Sequence, residues 1–206
     1  MVHALNNINL KIDDRETVAI IGESGAGKST LLHIMSCIDN FDGEYYLDNI
    51  DINKLSESKK SKLRSSKIGI VLQDFALIDD FTVFENVMTP LYFNKKIKDK
   101  KGSVMRALKK TGIASLKSKK VSQLSGGQKQ RVAISRALVT SPEYIFVDEP
   151  TGSLDSKTSE EIVKMLFDLN RNGITIIIVT HNLDIANKCQ RVIEIKDGNI
   201  IEDNCS

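Results

Sequence analysis

Val18-Ala19-Ile20-Ile21-Gly22-Glu23-Ser24-Gly25-Ala26-Gly27-Lys28-Ser29-Thr30 is the stretch that decides the fold. Four consecutive apolar residues read as a strand buried on both faces, a glycine-rich turn follows, and Lys28 to Ile38 carries the pattern of a helix. Gly22 to Ser29 satisfies GxxxxGK[ST] in full, in the strand-turn-helix context the motif requires. The physical reason is backbone reach: the loop through Gly22, Glu23, Ser24, Gly25, Ala26 and Gly27 can curl its N–H groups around phosphates at a positive helix end. Lys28 adds a point charge between terminal phosphates, the Ser29 hydroxyl is placed to ligate Mg²⁺, and Thr30 reinforces the phosphate contacts.

Working outward, Tyr144-Ile145-Phe146-Val147 before Asp148-Glu149, Ile174 to Val179 before Thr180, and Arg191 to Ile195 read as further strands. The helix between the first two spans Ser156 to Asn170, with Ile162, Leu166 and Leu169 on one face. This alternation is α/β with a mostly parallel sheet, as in a phosphate-loop nucleotide hydrolase core. Asn9 to Ile12, Gly43 to Leu47 and the runs around Asp197-Gly198-Asn199 predict a small antiparallel sheet. Residues 74–139 read as mostly helical, with breaks at Pro90, Gly102, Gly112 and Ser122. The expectation is one domain over 1–206: an α/β core from 1–73 and 141–206, with its antiparallel part, and an inserted helical lobe over 74–140.

Asp148 and Glu149 emerge at the C-terminal end of an apolar strand, where ligands of open α/β sheets bind. Two adjacent carboxylates there repel unless cations intervene. Beside a phosphate loop, Asp148 is expected to approach Mg²⁺ through water and Glu149 to accept a proton from the attacking water.

The composition admits a sizeable core in 206 residues, 41% of them hydrophobic. Apolar runs are far shorter than the roughly 20 residues that cross a bilayer. Met1 to Asn7 lacks the features of a secretory signal, which predicts a cytoplasmic protein. Cys37, Cys189 and Cys205 are expected as free thiols, and with His3, His33 and His181 they show no zinc spacing. Lys95 to Lys120 holds eleven basic residues against one acidic, whereas Ser141 to Ser206 holds twelve acidic against six basic. The basic block is read as a solvated helix surface, or as a surface near anionic lipid or nucleic acid.

Leu124-Ser125-Gly126-Gly127-Gln128 lies between the loop and the carboxylates. Ser125 reads as an N-cap, and the glycines open an amphipathic helix from Gln128 to Leu138. Glycine costs a helix about 1 kcal/mol relative to alanine, so capping alone leaves Gly126 and Gly127 unexplained. Free N–H groups at such a helix start can meet an anion. One ATP cannot need two such sites in one chain, so the pentapeptide is expected to complete the nucleotide of another subunit.

With these motifs in this order, nearly the whole chain resembles the ATP-binding cassette ATPases. The resemblance implies that Gln73, after Ile68 to Leu72, touches Mg²⁺ and the lytic water and joins the two lobes. It implies further that Ser125, Gly126, Gly127 and Gln128 contact the nucleotide of the opposite subunit, that Ser153-Leu154-Asp155 crosses the dimer interface, and that His181 contacts the γ-phosphate and holds the water. Expected cofactors are ATP and Mg²⁺, and the expected assembly is a dimer closing on ATP. Ser36 to Asp39, Phe84-Glu85-Asn86-Val87 with Pro90-Leu91, and Glu149 to Asp155 resemble the branch of lipoprotein-release and of macrolide, peptide and bacteriocin exporters. That branch implies an integral-membrane permease docked near Phe75 to Tyr92 and a place on the inner face of the membrane.

The family stacks adenine on an aromatic residue upstream of the loop, and no Tyr or Phe precedes Phe41. Either the sequence begins within that upstream strand, or the base is held loosely and triphosphate contacts dominate. The competing functions are a soluble cassette ATPase acting on ribosome or nucleic acid, suggested by the basic block, and a small-molecule kinase, which leaves Ser125 to Gln128 without purpose. Direct nucleic-acid binding is not expected, because 206 residues hold neither a second cassette nor a long coiled coil.

Overall fold

The structure, a computed structural model, describes residues 4–152 and 154–205. Six strands form one sheet: β1 (Thr17–Ile21), β4 (Ile68–Val71), β5 (Tyr144–Asp148), β6 (Thr175–Val179), β7 (Arg191–Lys196) and β8 (Asn199–Cys205), in the spatial order β4-β5-β6-β1-β7-β8. All neighbours run parallel except β7 and β8.

Alternate residues of each central strand enter different cores, which explains why these strands are apolar throughout. Val18, Ile20, Phe146, Ile177 and Val179 pack with Leu31, Leu32 and Met35 of α1 (Lys28–Met35). Ala19, Ile145, Val147, Ile176 and Ile178 pack on the other face with Ile162 and Leu166 of α6 (Ser156–Arg171). Each fully buried aliphatic contributes about 1.5–3 kcal/mol, against roughly 0–1 for a surface ion pair, so the sheet is held by its faces.

A small antiparallel sheet is present as the sequence predicts, but its members differ from those expected. Only β2 (Tyr46–Leu47) and β3 (Ile50–Asp51) form a separate two-stranded sheet, across Asp48 and Asn49, both at positive φ. The β7–β8 hairpin, turned at Asp197-Gly198, belongs to the main sheet. Residues 9–12 form no strand. Their alternation instead reports burial of Ile8, Leu10 and Ile12 against the α1 core, and Arg191 Nη1 donates to Lys11 O at 2.7 Å. Helix α1 also ends at Met35 rather than Ile38: Cys37 turns to φ +58°, and Ile38 N returns to His33 O.

The region 74–139 contains α3 (Val83–Phe93), α4 (Lys100–Lys110) and α5 (Gly126–Leu138); α2 (Glu57–Lys67) precedes β4. Pro90 and Gly102 lie inside helices rather than breaking them. An interior proline costs about 3 kcal/mol. In α3 a Thr82–Glu85 capping box and the fully buried Val83, Val87 and Leu91 outweigh that. Gly102 sits in the first turn of α4, where Asp99 accepts its N–H at 2.9 Å; a Cβ there would meet Asp99 Oδ2 at 1.9 Å. The lysines at 95, 96, 98, 101, 109, 110, 117, 119 and 120 are all exposed. Cys37 and Cys189 are buried, Cys205 is exposed, and all three are free.

Candidate active site

Topology sets the site before any side chain is considered. β4, β5, β6 and β1 are neighbours and parallel, so Gln73 after β4, Asp148 and Glu149 ending β5, His181 after β6 and the loop after β1 share one sheet edge. Gly22, Ser24, Gly25, Gly27, Lys28, Ser29, Thr30, Gln73, Asp148, Glu149 and His181 line an open cleft of about 430 Å³, with Ala4 and Val179. That volume lies in the range of small-molecule sites.

The loop's shape depends on two glycines. Gly22 has φ +143°, and a Cβ there would lie 2.1 Å from Ile195 O; Gly27 has φ +104°, and its Cβ would lie 2.5 Å from Ala4 O. Gly27 is the N-cap of α1, and no side chain caps the helix, which leaves the first-turn amides directed at the cleft. The Lys28 ammonium folds back on the loop, donating to Gly22 O at 2.9 Å and Glu23 O at 2.7 Å. Glu23 thus enters through its carbonyl, and Ala26 is a buried core contact, so neither side chain lines the cleft.

Asp148 is 8% exposed. Burial raises its carboxyl above the ordinary carboxylate value; the Ser29 hydroxyl opposes this, the Glu149 charge adds to it, and His33 and Lys28 oppose it. Glu149 stands at φ +44°, a strained position for a non-glycine residue, with its N–H bonded to Val179 O at 2.9 Å. Its Oε1 accepts the His181 backbone N–H at 3.1 Å and lies 2.8 Å from His181 Nδ1. The Thr180 hydroxyl donates to Oε2 at 3.4 Å.

The pentapeptide and Asp155 lie elsewhere: none of Ser125, Gly126, Gly127, Gln128 and Asp155 lines this cleft. Ser125 caps α5, accepting Gln128 N–H at 3.4 Å, and Gln128 Oε1 accepts Ser125 N–H at 3.1 Å. Gly126 and Gly127 open the helix, where amides lack an intrahelical acceptor. Asp155 caps α6 by accepting Thr158 N–H at 3.0 Å and its hydroxyl at 2.7 Å, bonds that lower the Asp155 pKa. A Cβ on Gly127 would lie 2.4 Å from Thr158 Cγ2, so α5 starts against α6. Ser153 lies outside the described residues, as do residues 1–3. Sequence reasoning passed over Thr180, although its hydroxyl meets Glu149 and accepts Asn182 N–H at 3.1 Å. It also passed over Arg136, a half-buried cation flanked by the buried Ser135 and Ala137 of α5; that contrast was the available signal.

Ser29, Asp148 and Gln73 offer hydroxyl, carboxylate and amide oxygens to the cleft they line, a hard donor set that suits Mg²⁺ shared with phosphate oxygens. Fold and cleft together define a phosphate-loop nucleotide-binding protein. Residues 5–152 match the ABC transporter family, and the chain belongs to that family as an ATP-hydrolysing transporter subunit. It is 45% identical over 204 residues to the ABC transporter ATP-binding protein YvrO of Bacillus subtilis, covering 98% of this chain and 89% of that one. It is 45% identical over 204 residues to the macrolide export ATP-binding/permease protein MacB of Mannheimia succiniciproducens, again over 98% of this chain but only 32% of that protein. The chain therefore spans about a third of that relative's length. Among solved structures, the dimeric post-hydrolysis state of the cassette MJ0796 from Methanocaldococcus jannaschii, bound to ADP and Pi, superposes with a TM-score of 0.91 at 42% identity, over 99% of this chain and 91% of that one.

Proposed function

We propose that the chain powers a membrane exporter of the peptide, bacteriocin, antimicrobial or lipoprotein type by closing as a dimer on two ATP and reopening after hydrolysis. The observation that carries this reading is the split of phosphate-binding elements. The cleft holds Lys28, Glu149 and His181, whereas the Ser125 helix start lies outside it. A helix start with free amides is completed by an anion that another copy brings.

In this reading the amides of the Gly22–Thr30 loop and Lys28 hold the triphosphate, while Ser29, Gln73 and Asp148 would hold Mg²⁺ when it is bound. The metal supplies charge neutralisation at the phosphate oxygens. Glu149 orients the attacking water and takes its proton; His181, held against Glu149, faces the γ-phosphate. Ser125, Gly126, Gly127, Gln128 and Asp155 meet the opposite subunit's nucleotide and interface. Residues 74–140 act as a lobe that tilts against the α/β core on closure.

The permease is taken to dock near Phe75 to Tyr92, where Ile78, Phe81 and Tyr92 are exposed apolar side chains, with Phe93 next to them. This places the chain on the cytoplasmic face of the membrane through its partner; no helix of the described residues is long and apolar enough to cross a bilayer. The proposal is tested by co-purification of a tagged chain with a membrane protein encoded beside it. Phe81→Asp with Tyr92→Asp should abolish capture and leave nucleotide binding unchanged; capture unaffected by these charges would contradict the docking site.

A further inference from the structure

We infer that Arg136 is a positioning residue that holds the turn carrying Gln73, so that α5 links the Ser125 helix start to the cleft of the same chain. The inference rests on the reading of Gln73 as a nucleotide-site residue.

The turn is short and otherwise lightly held. Leu72 to Phe75 closes through Phe75 N–H to Leu72 O at 3.0 Å, with Gln73 at its first corner, two residues after Val71, the last of β4. Phe75 and Ala76 both adopt left-handed backbone, at φ +63° and +44°. Two consecutive non-glycine residues there require an outside constraint. Arg136 supplies it: Nη2 donates to Phe75 O at 2.7 Å, and Nη1 donates to Ala76 O. Among the described residues these carbonyls are the hydrogen-bond partners of the Arg136 guanidinium. Burial lowers its pKa below the ordinary arginine value, with Asp74 opposing the shift, yet guanidinium remains charged in proteins. A half-buried cation that gives two donors to adjacent backbone oxygens identifies that backbone as the thing being held.

The other end of the segment is fixed separately. Asn86 of α3, 1% exposed, accepts Ile78 N–H at 2.9 Å and donates to Ile78 O at 3.0 Å. Between the two clamps lies the half-buried Leu77 alone, and the exposed Gln73 stands two residues before the first clamped carbonyl, that of Phe75. Helix α5 is seated at this end against β4, since a Cβ on Gly69 would lie 2.8 Å from Ala137 O. Its other end carries Ser125, eleven residues earlier and so about 16 Å away at 1.5 Å per residue. A displacement of α5 caused by an anion at Ser125 therefore reaches Gln73 through Arg136.

The test is amide hydrogen exchange of the full chain without nucleotide, paired with ATPase kinetics. Arg136→Gln should speed exchange in 73–77 at least tenfold while the amides of β5 and β6 keep their protection. It should lower kcat about tenfold with KM for ATP within twofold, and Gln73→Ala added to it should cost nothing further. Arg136→Lys, which keeps one donor, should fall between, and its exchange decides the matter if Arg136→Gln does not fold. Unchanged exchange in 73–77, or additive losses from Gln73→Ala and Arg136→Gln, would overturn the inference. If the unaltered chain shows no ATPase activity, the functional reading fails instead, and the exchange result still judges the Arg136 clamp.

Discussion

His181 meets one oxygen of Glu149 twice, its backbone N–H at 3.1 Å and its Nδ1 at 2.8 Å from Oε1. A carboxylate oxygen accepts, so in this pairing Nδ1 is the donating ring nitrogen. The Glu149 side chain is 12% exposed and that of His181 71%, so the carboxylate is set and the imidazole reaches outward. His181→Ala should lower kcat about 10²-fold, the lower end for a positioned acid–base group, with little change in KM. Phosphate release assayed at saturating ATP checks this, and a loss under threefold would contradict the assignment.

Asp148 carries a cost in the nucleotide-free chain. Its pKa is raised on folding, chiefly by burial, so the folded state holds the proton more tightly than the unfolded chain. The stability this gives is present below the ordinary value of 3.8 and is lost as pH rises through the folded value. At neutral pH the buried charge destabilises. Asp148→Asn should therefore raise the Tm, while hydrolysis is lost. Calorimetry at pH 7 decides; a fall in Tm would contradict the sign.

Gly127 is a packing requirement between two caps. A Cβ at this position would strike Thr158 Cγ2 at 2.4 Å, and Thr158 is held by Asp155 through its hydroxyl. Gly127→Ala should displace Thr158, weaken the α6 cap by about 1 kcal/mol and abolish ATP-dependent dimerisation, leaving nucleotide affinity of the separate cleft within twofold. Fluorescent-nucleotide titration beside sedimentation separates the two effects.

No aromatic ring lines the cleft among the described residues. Discrimination between ATP and GTP should accordingly stay below about tenfold, or 1.4 kcal/mol. Competition binding of the two nucleotides tests this, and a hundredfold preference would require a base contact outside the described residues.

Much of the fold was legible because the strands advertise themselves. Val18 to Ile21 and Tyr144 to Val147 are apolar on both faces, a pattern that a parallel sheet between two helical layers imposes. Since Gln73, Glu149 and His181 each follow such a strand, their convergence on one edge followed from topology. What the sequence concealed was set by tertiary contact. The alternation of Ile8, Leu10 and Ile12 looks like a ladder strand, but burial against the α1 core produces the same period without a hydrogen-bonded partner. Pro90 and Gly102 look like breaks, yet packing in α3 and the Asp99 cap in α4 retain both inside helices. Arg136 was missed because its partners are backbone oxygens sixty residues away, which no spacing rule reports.

The central claim is that each chain carries two half-sites, one around Lys28 and one at Ser125. Sedimentation velocity of Glu149→Gln with and without ATP tests it most directly, because with Glu149 read as the proton acceptor the substitution should leave binding intact and stall hydrolysis. The account predicts a monomer without nucleotide and a stable dimer with ATP, lost again when Ser125→Glu is added. A Glu149→Gln chain that binds ATP and remains monomeric at tens of micromolar would contradict it.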